Sequence, residues 1–383
     1  MSAVVIDHVS KSFGTHQAVR DLCLQVPTQS LYGFIGPNGS GKTTTLRMIM
    51  RIFLPDRGSL RVLGEESWQG ARDRVSYLHN ISSNDIEGLA DGRGTLALLL
   101  NPQGHILAEL EVYALPEKLL VLSHASQRER TVATLKKYVI GSQVKIEDLT
   151  DEMGSAAVEG PRATELIEKA CGLSLSALPE MAIRNVTIEG AACLLLRCSH
   201  FGQPGVEMIA PREALPAVWC KLLSEVRALG GAPIGMAALN SLRLEAGVPW
   251  FPADFNDAMI PHESALEKTH VSFNKGCYTG QEIVERVRSR GQVNRKRVKL
   301  KFSTATPPAA GTKLRAGGAE VGYVTSAAFS QEAATAIGMA YVRREQFAPG
   351  NVVEYDGGTA EVREEDWTHR RGAEAAESGR REA

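Results

Sequence analysis

The sequence has no CxxC pair, no excess charge of either sign and no long apolar run. Its six cysteines (Cys23, Cys171, Cys193, Cys198, Cys220, Cys277) are scattered, which indicates neither a disulfide framework nor a zinc-finger spacing and reads as mostly buried thiols acting as small hydrophobes. Forty-three basic against 44 acidic residues leave a formal net charge of -1. No global field therefore steers the chain toward nucleic acid or an anionic membrane, and any such contact needs a local patch. The longest apolar runs, "TLALLLN" and "AACLLLR", fall far short of the ~18 residues a membrane-spanning helix needs. The start, "MSAVVIDHVSK", lacks the basic, apolar and small-residue regions of a signal peptide, so the expected compartment is the cytoplasm. What is present is ordinary for a globular protein: 43% apolar and 23% charged residues over 383 positions, enough for two or three domains.

Along the chain the texture changes twice. Val4, Ile6, Val9 and Phe13, then Leu22, Leu24 and Val26, predict two short strands joined by "FGTHQ". "LYGFIG" reads as a strand buried on both faces of a parallel sheet. "TTTLRMIMRIF" reads as a helix with Leu46, Ile49, Met50 and Phe53 on one face, and "LRVLG" as one more strand. From about Asp73 the pattern is mixed: a helix and turn in "DRVSYLHNISSNDI", a hairpin around "NPQG", a strand in "KLLVLS" and an amphipathic helix in "ASQRERTVATLKKYVI". Residues 291–362 are short strands separated by Gly and Pro turns, predicting a small β-barrel, and the charged end from 363 to 383 reads as disordered.

"GFIGPNGSGKTTT" satisfies GxxxxGK[ST] with Gly36, Gly41, Lys42 and Thr43. In such a loop backbone N–H groups converge on phosphates at a helix N-terminus, Lys42 neutralises β/γ charge and Thr43 holds Mg²⁺. With "KSFG" before it and "PDRGSLRVLG" after it, residues 1 to about 78 resemble the start of an ABC transporter ATP-binding domain. The resemblance implies ATP and Mg²⁺ as ligands, Phe13 as the adenine-stacking aromatic, and Gly36, Asn38, Gly39, Gly41, Lys42, Thr43 and Thr44 as nucleotide-binding residues. The rest of that family's equipment is missing: no LSGG helix, no apolar strand ending in Asp-Glu, no switch histidine. "KLLVLSH" and "ACLLLRC" carry no terminal carboxylate, so the expectation is a loop that at most binds nucleotide without hydrolysing it.

The remainder carries different marks. "NKGCYTGQEIVERV", with "LLNPQGHILAEL", "GQPGVEMIAP", "SLRLEAGVPWFPADF" and "IPHES" in order, resembles the YgfZ-type folate-binding proteins, relatives of the glycine cleavage T-protein, over residues 72 to 362. The resemblance implies an α+β fold of lobes around an opening that takes tetrahydrofolate, capped by a C-terminal β-barrel. It assigns Glu207, Tyr278 and Gln281 to folate, and Cys277 and Lys275 to catalysis. Plainer readings stand beside these: Glu207 as a solvated turn carboxylate, Cys277 as a packing thiol, Lys275 as partner of a folate tail or of the thiolate. T-proteins place paired aspartates where this chain has Ala108 and Glu109, and a folate-contacting arginine where Leu239 stands. The expectation is therefore a protein without aminomethyltransferase activity, acting on iron-sulfur client proteins or in tRNA modification. The run Arg286, Arg288, Arg290, Arg295, Lys296, Arg297 and Lys299 is the patch that could meet tRNA phosphates; a solvated strand face or a folate-tail site fits it equally.

The expected organisation is a truncated ABC fragment at 1–74, a folate-binding domain at 75–290, the barrel at 291–362 and the tail at 363–383. The joint falls inside "ARDRVSYL" with no linker, which reads as an in-frame fusion of two gene fragments.

Overall fold

The computed structural model describes residues 2–364 except 14, 15, 31, 34, 38, 50–54, 64, 67–72, 140–143 and 292. Asn38, Met50, Phe53, part of the "ARDRVSYL" joint and the tail beyond 364 lie outside the described residues.

The first segment pairs two long strands, β1 (Ser2–Phe13) and β2 (His16–Pro27), followed by α1 (Lys42–Ile49), β3 (Arg57–Val62) and β4 (Glu65–Glu66). The sheet runs β2-β1-β3-β4, antiparallel throughout. Its small core is Ile6, Val9, Val19, Met48 and Leu60. Two expectations fail here. The helix buries Thr45 and Met48, leaving Leu46 exposed. The strand read in "LYGFIG" is not formed: Tyr32, Gly33, Ile35 and Gly36 belong to no strand, and Ile35 is 96% exposed. An apolar run becomes a central strand only where strands on either side take up its N–H and C=O groups. Among the described residues no strand runs beside it.

The second region opens with α2 (Asp73–Ile81), whose Asp73 suits the positive end of the helix. Then β5 (Gly94–Leu100), β6 (Ile106–Ala114) and β7 (Leu119–Leu122) form a sheet in that order, followed by α3 (Arg128–Tyr138). Strand alternation sorts β6 into two faces. Ala108, Leu110 and Val112 pack in a core with Tyr77, Leu78 and Leu135 of α2 and α3. Glu109, Glu111 and Tyr113 therefore point the other way.

A second sheet follows from β8 (Met153–Glu159), α4 (Ala163–Cys171), β9 (Ile183–Ile188), β10 (Ala191–Arg197), β11 (Gly205–Pro211) and α5 (Leu215–Ala228), in strand order β8-β11-β10-β9. Val206, Met208 and Ala210 pack under α4 and α5. Ile209 faces away and joins Leu196 and Ile183 against Leu96 and Tyr113 of the first sheet. By the same alternation Glu207 lies on that inner face. The two sheets thus present inner surfaces to each other, with Glu109 on one and Glu207 on the other.

After α6 (Met236–Glu245), α7 (Glu267–His270) and α8 (Gln281–Arg290), the chain closes a six-stranded barrel from β12 (Arg295–Phe302), β13 (Lys313–Ala316), β14 (Ala319–Ser330), β15 (Thr335–Arg343), β16 (Val352–Tyr355) and β17 (Gly358–Arg363). Its strand order is β12-β15-β14-β13-β16-β17, and Val298, Leu300, Phe302 and Leu314 fill it. Closure leaves no free edge. Asp254, fully buried, ties the barrel to α6: it accepts from Arg243, Thr325 Oγ1 at 2.6 Å, Ser326 and the Trp250 N–H at 3.0 Å. The α+β lobes and terminal barrel are as expected from the sequence.

Candidate functional site

The "KGCYTGQE" stretch folds as a loop that enters α8, and most of its residues are accounted for by packing. The half-buried Lys275 donates to three carbonyls at and just beyond the end of α2: His79, Ser82 at 2.7 Å and Asn84 at 2.9 Å. The first is among the acceptors a helix leaves unpaired at its C-terminus, where a cation also suits the dipole. Burial pushes the ammonium down to about 7, against the pull of Asp85 and Glu87. Tyr278 is buried with Leu98, Leu100, Ile106 and Phe251. Its ring lies under the Lys275 ammonium at 5.2 Å. Its hydroxyl is enclosed with no hydrogen-bond partner, and burial raises its pKa. Gly280 has φ +83°, and a Cβ there would lie 2.6 Å from the Asn101 carbonyl oxygen of the "NPQG" turn. Only glycine lets the two stretches meet. Gln281 begins α8.

Cys277 is the exception, standing exposed in that loop four residues ahead of α8. Cys23 and Cys220 are also exposed, while Cys193 and Cys198 are buried. The expectation of mostly buried thiols is corrected to that extent.

The inner sheet faces carry two carboxylate–histidine pairs. Glu109 Oε1 lies 2.9 Å from Nε2 of the fully buried His270, whose Nδ1 meets Thr269 Oγ1 at 2.8 Å. Position 108 faces the apolar core and position 109 the inner surface. An aspartate at 108 would therefore face the core, whereas Glu109 places a carboxylate on the inner surface.

On the facing sheet, Glu207 Oε2 is 3.8 Å from His200 Nε2. His200 Nδ1 is 3.2 Å from Oε2 of Glu159, whose side chain is 4% exposed. Glu159 also accepts from the N–H groups of His200 at 2.8 Å, Phe201 at 2.8 Å and Gln203 at 3.3 Å, and from Ser199 Oγ at 3.1 Å. Burial raises its pKa, and the bonds from His200 and Phe201 outweigh that and hold the carboxyl below the ordinary glutamate value. Cys198 Sγ completes the cluster, 3.9 Å from His200 Nδ1. Glu207 is thus neither a turn residue nor fully solvated: it sits in the middle of β11, opposite Leu196 and Ala157.

The residues expected to hold folate do not form one group. Glu207 lies on the inner face of the second sheet, whereas Tyr278 is a core residue of the other lobe. Glu207 does fit a pterin, since its side chain is 20% exposed and its carboxylate is available to ring N–H groups.

In the phosphate loop, Gly39 and Gly41 take φ +83° and +81°. Lys42 Nζ donates to the carbonyls of Gly36 and of Pro37, the latter at 2.7 Å. Thr43 is exposed, Thr44 partly buried, and Phe13 has the Lys11 ammonium 5.6 Å from its ring centroid. Among the described residues no strand leads into the loop, and Lys42 is engaged by its own loop's carbonyls.

The basic run is not one patch either. Arg297 is fully buried and donates to the Ser264 carbonyl at 3.0 Å. Arg286, Arg288 and Arg295 pair with Glu282, Glu285 and Glu263.

The histidines and Glu159 escaped sequence reading because their partners stand far away in sequence: 161 residues separate His270 from Glu109 and 41 separate His200 from Glu159. One signal was available, the alternation in "ILAELEVY" that turns Ala108 to the core under α2 and α3 and Glu109 to the opposite face.

Comparison with known proteins places these features. The GCVT N-terminal domain profile matches residues 61–275, and the glycine cleavage T-protein C-terminal barrel domain matches 295–363. An ABC transporter profile matches 19–89, overlapping the first where the joint was read. The chain is 30% identical to an aminomethyltransferase of Saccharopolyspora erythraea over 79% of this chain and 81% of that protein. It is 29% identical to one of Thermoanaerobacter pseudethanolicus over 76% and 79%. Among solved structures, the glycine cleavage system aminomethyltransferase T of Bartonella henselae superposes with a TM-score of 0.68 at 26% identity, covering 78% of this chain and 82% of that one.

Proposed function

The chain belongs to the glycine cleavage T-protein family, and from that premise we propose that it binds tetrahydrofolate between its two inner sheet faces, with the Glu207 carboxylate accepting from the pterin N–H groups. The observation that carries this reading is the placement of Glu207 mid-strand on an inner face, partly exposed, with its neighbour His200 braced by the buried Glu159. Bound there, the reduced pterin would supply the nitrogens that carry a one-carbon unit. The protein's own part is to orient that ring through Glu207, with His200 beside it. Tetrahydrofolate should raise the melting temperature, and Glu207→Ala should remove most of the rise; an unchanged melting temperature at millimolar ligand would overturn the reading.

The narrower assignment within this proposal is to the YgfZ branch, acting in iron-sulfur cluster upkeep or tRNA modification. It is supported by the exposed Cys277 in a signature loop whose other residues are occupied in packing. Loss of the gene should lower the activity of cluster-dependent enzymes, with recovery by the wild type and not by Cys277→Ala. A second reading, aminomethyl transfer, is favoured by one observation, the Glu109 carboxylate on the inner face bonded to His270. Folate-dependent ammonia release that vanishes in Glu109→Gln would establish it, and no release from the wild type would remove it.

A further inference from the structure

Cys198, His200 and Glu207 each place one ligating atom within 4.8 Å of the other two. Glu159 Oε2 lies 3.2 Å from His200 Nδ1, which leaves Nε2 to face Glu207 Oε2 at 3.8 Å. The buried Cys198 Sγ stands 3.9 Å from Nδ1 of the same ring. A thiol, an imidazole and a carboxylate converging at these separations are an arrangement that a cation completes.

Ligand atoms around a tetrahedral Zn²⁺ stand on the order of 3.5 Å apart, given metal–ligand lengths of about 2.0–2.3 Å. His200 Nε2 and Glu207 Oε2 stand 3.8 Å apart and the triad as a whole lies within 4.8 Å, so binding draws the side chains together by up to about 1 Å. A histidine that coordinates through one nitrogen while its other N–H is held by a buried carboxylate is the usual way a metal-binding imidazole is oriented. The donor set of one sulfur, one nitrogen and one oxygen suits a borderline divalent ion of the zinc class rather than Mg²⁺ or Ca²⁺. Three protein ligands leave a fourth position for water or a ligand atom.

We propose that Cys198, His200 Nε2 and Glu207 form a divalent transition-metal site, with Glu159 as the residue that positions His200. Binding transfers the Cys198 thiol proton to solvent and leaves a thiolate on the metal. Glu207 is shared with the proposed folate contact, so metal and pterin compete for one carboxylate. The metal measurement is made without folate and the folate measurement in chelator, so either can fail alone.

The test uses the full chain, stripped with EDTA and titrated first with Co²⁺ and then with Zn²⁺ against a chromophoric chelator. The expected result is one ion per chain, with a thiolate-to-cobalt charge-transfer band and the intense visible bands of a four-coordinate ion. Cys198→Ser should abolish the charge-transfer band. His200→Gln should weaken Zn²⁺ at least about tenfold, and Glu159→Gln by about 10- to 100-fold. A second triad, the exposed Asp7, His8 and Cys23, is told apart by Cys23→Ser, which should leave the band intact. Absence of the band in the wild type, or its survival in Cys198→Ser, overturns the site. If Cys198→Ser does not fold, His200→Gln decides, because its ring is 28% exposed; unchanged Zn²⁺ affinity there is equally fatal.

Discussion

The two glycine-bearing signatures of this chain sit in different structural company. At residues 36–45 the phosphate-loop sequence starts a helix, yet among the described residues no strand leads directly into it, and Lys42 is turned onto carbonyls of its own loop. At residues 275–281 the lysine spans to the end of α2 and the glycine fits against Asn101, so the signature is held by groups nearly two hundred positions earlier in the chain. A short motif specifies local chemistry only when its distant supports are present. The second signature has them and the first does not.

That contrast can be broken by substitution. The largest effect should come from Asp254→Ala, which strands the buried Arg243 and two hydroxyls between α6 and the barrel. The expected loss is about 3–5 kcal/mol in urea unfolding. Next is Lys275→Met, which leaves the carbonyls of His79, Ser82 and Asn84 without this donor, at a cost of about 3 kcal/mol. The same lysine sets a pH dependence. Its folded pKa of about 7 lies below the unfolded value of about 10.4, so between those limits the unfolded state binds more protons. Stability from this group then rises with pH across that window, having been depressed below pH 7. Lys275→Met should flatten that slope, and an unchanged slope would contradict the burial argument. Gly280→Ala should cost about 1–3 kcal/mol, since it meets both a positive φ and the Asn101 carbonyl. The smallest effect belongs to the other signature: Lys42→Ala should change stability by under about 0.5 kcal/mol, and a fluorescent ATP analogue should bind wild type and variant alike. Binding lost only in the variant would show that the loop holds phosphate without a strand behind it.

Much of the fold was legible because alternation and turn residues are local. The "NPQG" hairpin, the α2 helix and the barrel strands follow from patterns within ten residues. "LYGFIG" misled because an apolar run reports that a segment can be buried, and the strands to bury it must come from elsewhere. The basic run misled in a related way. Its letters show charge but not that Arg297 points into the protein beneath Ser264. Of the candidate site, Glu207 was legible through family resemblance, whereas His200, Glu159 and His270 became visible only when the fold brought them beside Glu207 and Glu109.

The reach of Lys275 also sets an order of events during synthesis. The carbonyls it satisfies belong to residues 79–84, 191 to 196 positions earlier, and Ser83 bonds to the carbonyl of His270, 187 positions on. At roughly 5–20 residues per second, α2 emerges and waits on the order of ten to forty seconds before the side chain that caps it has been made. During that interval its C-terminal carbonyls are served by water, and the first lobe is a meeting point held open for a late arrival. A chaperone that shields the nascent β5–β6 hairpin would find its substrate in that window, and a stop codon before residue 275 would leave the window permanently open.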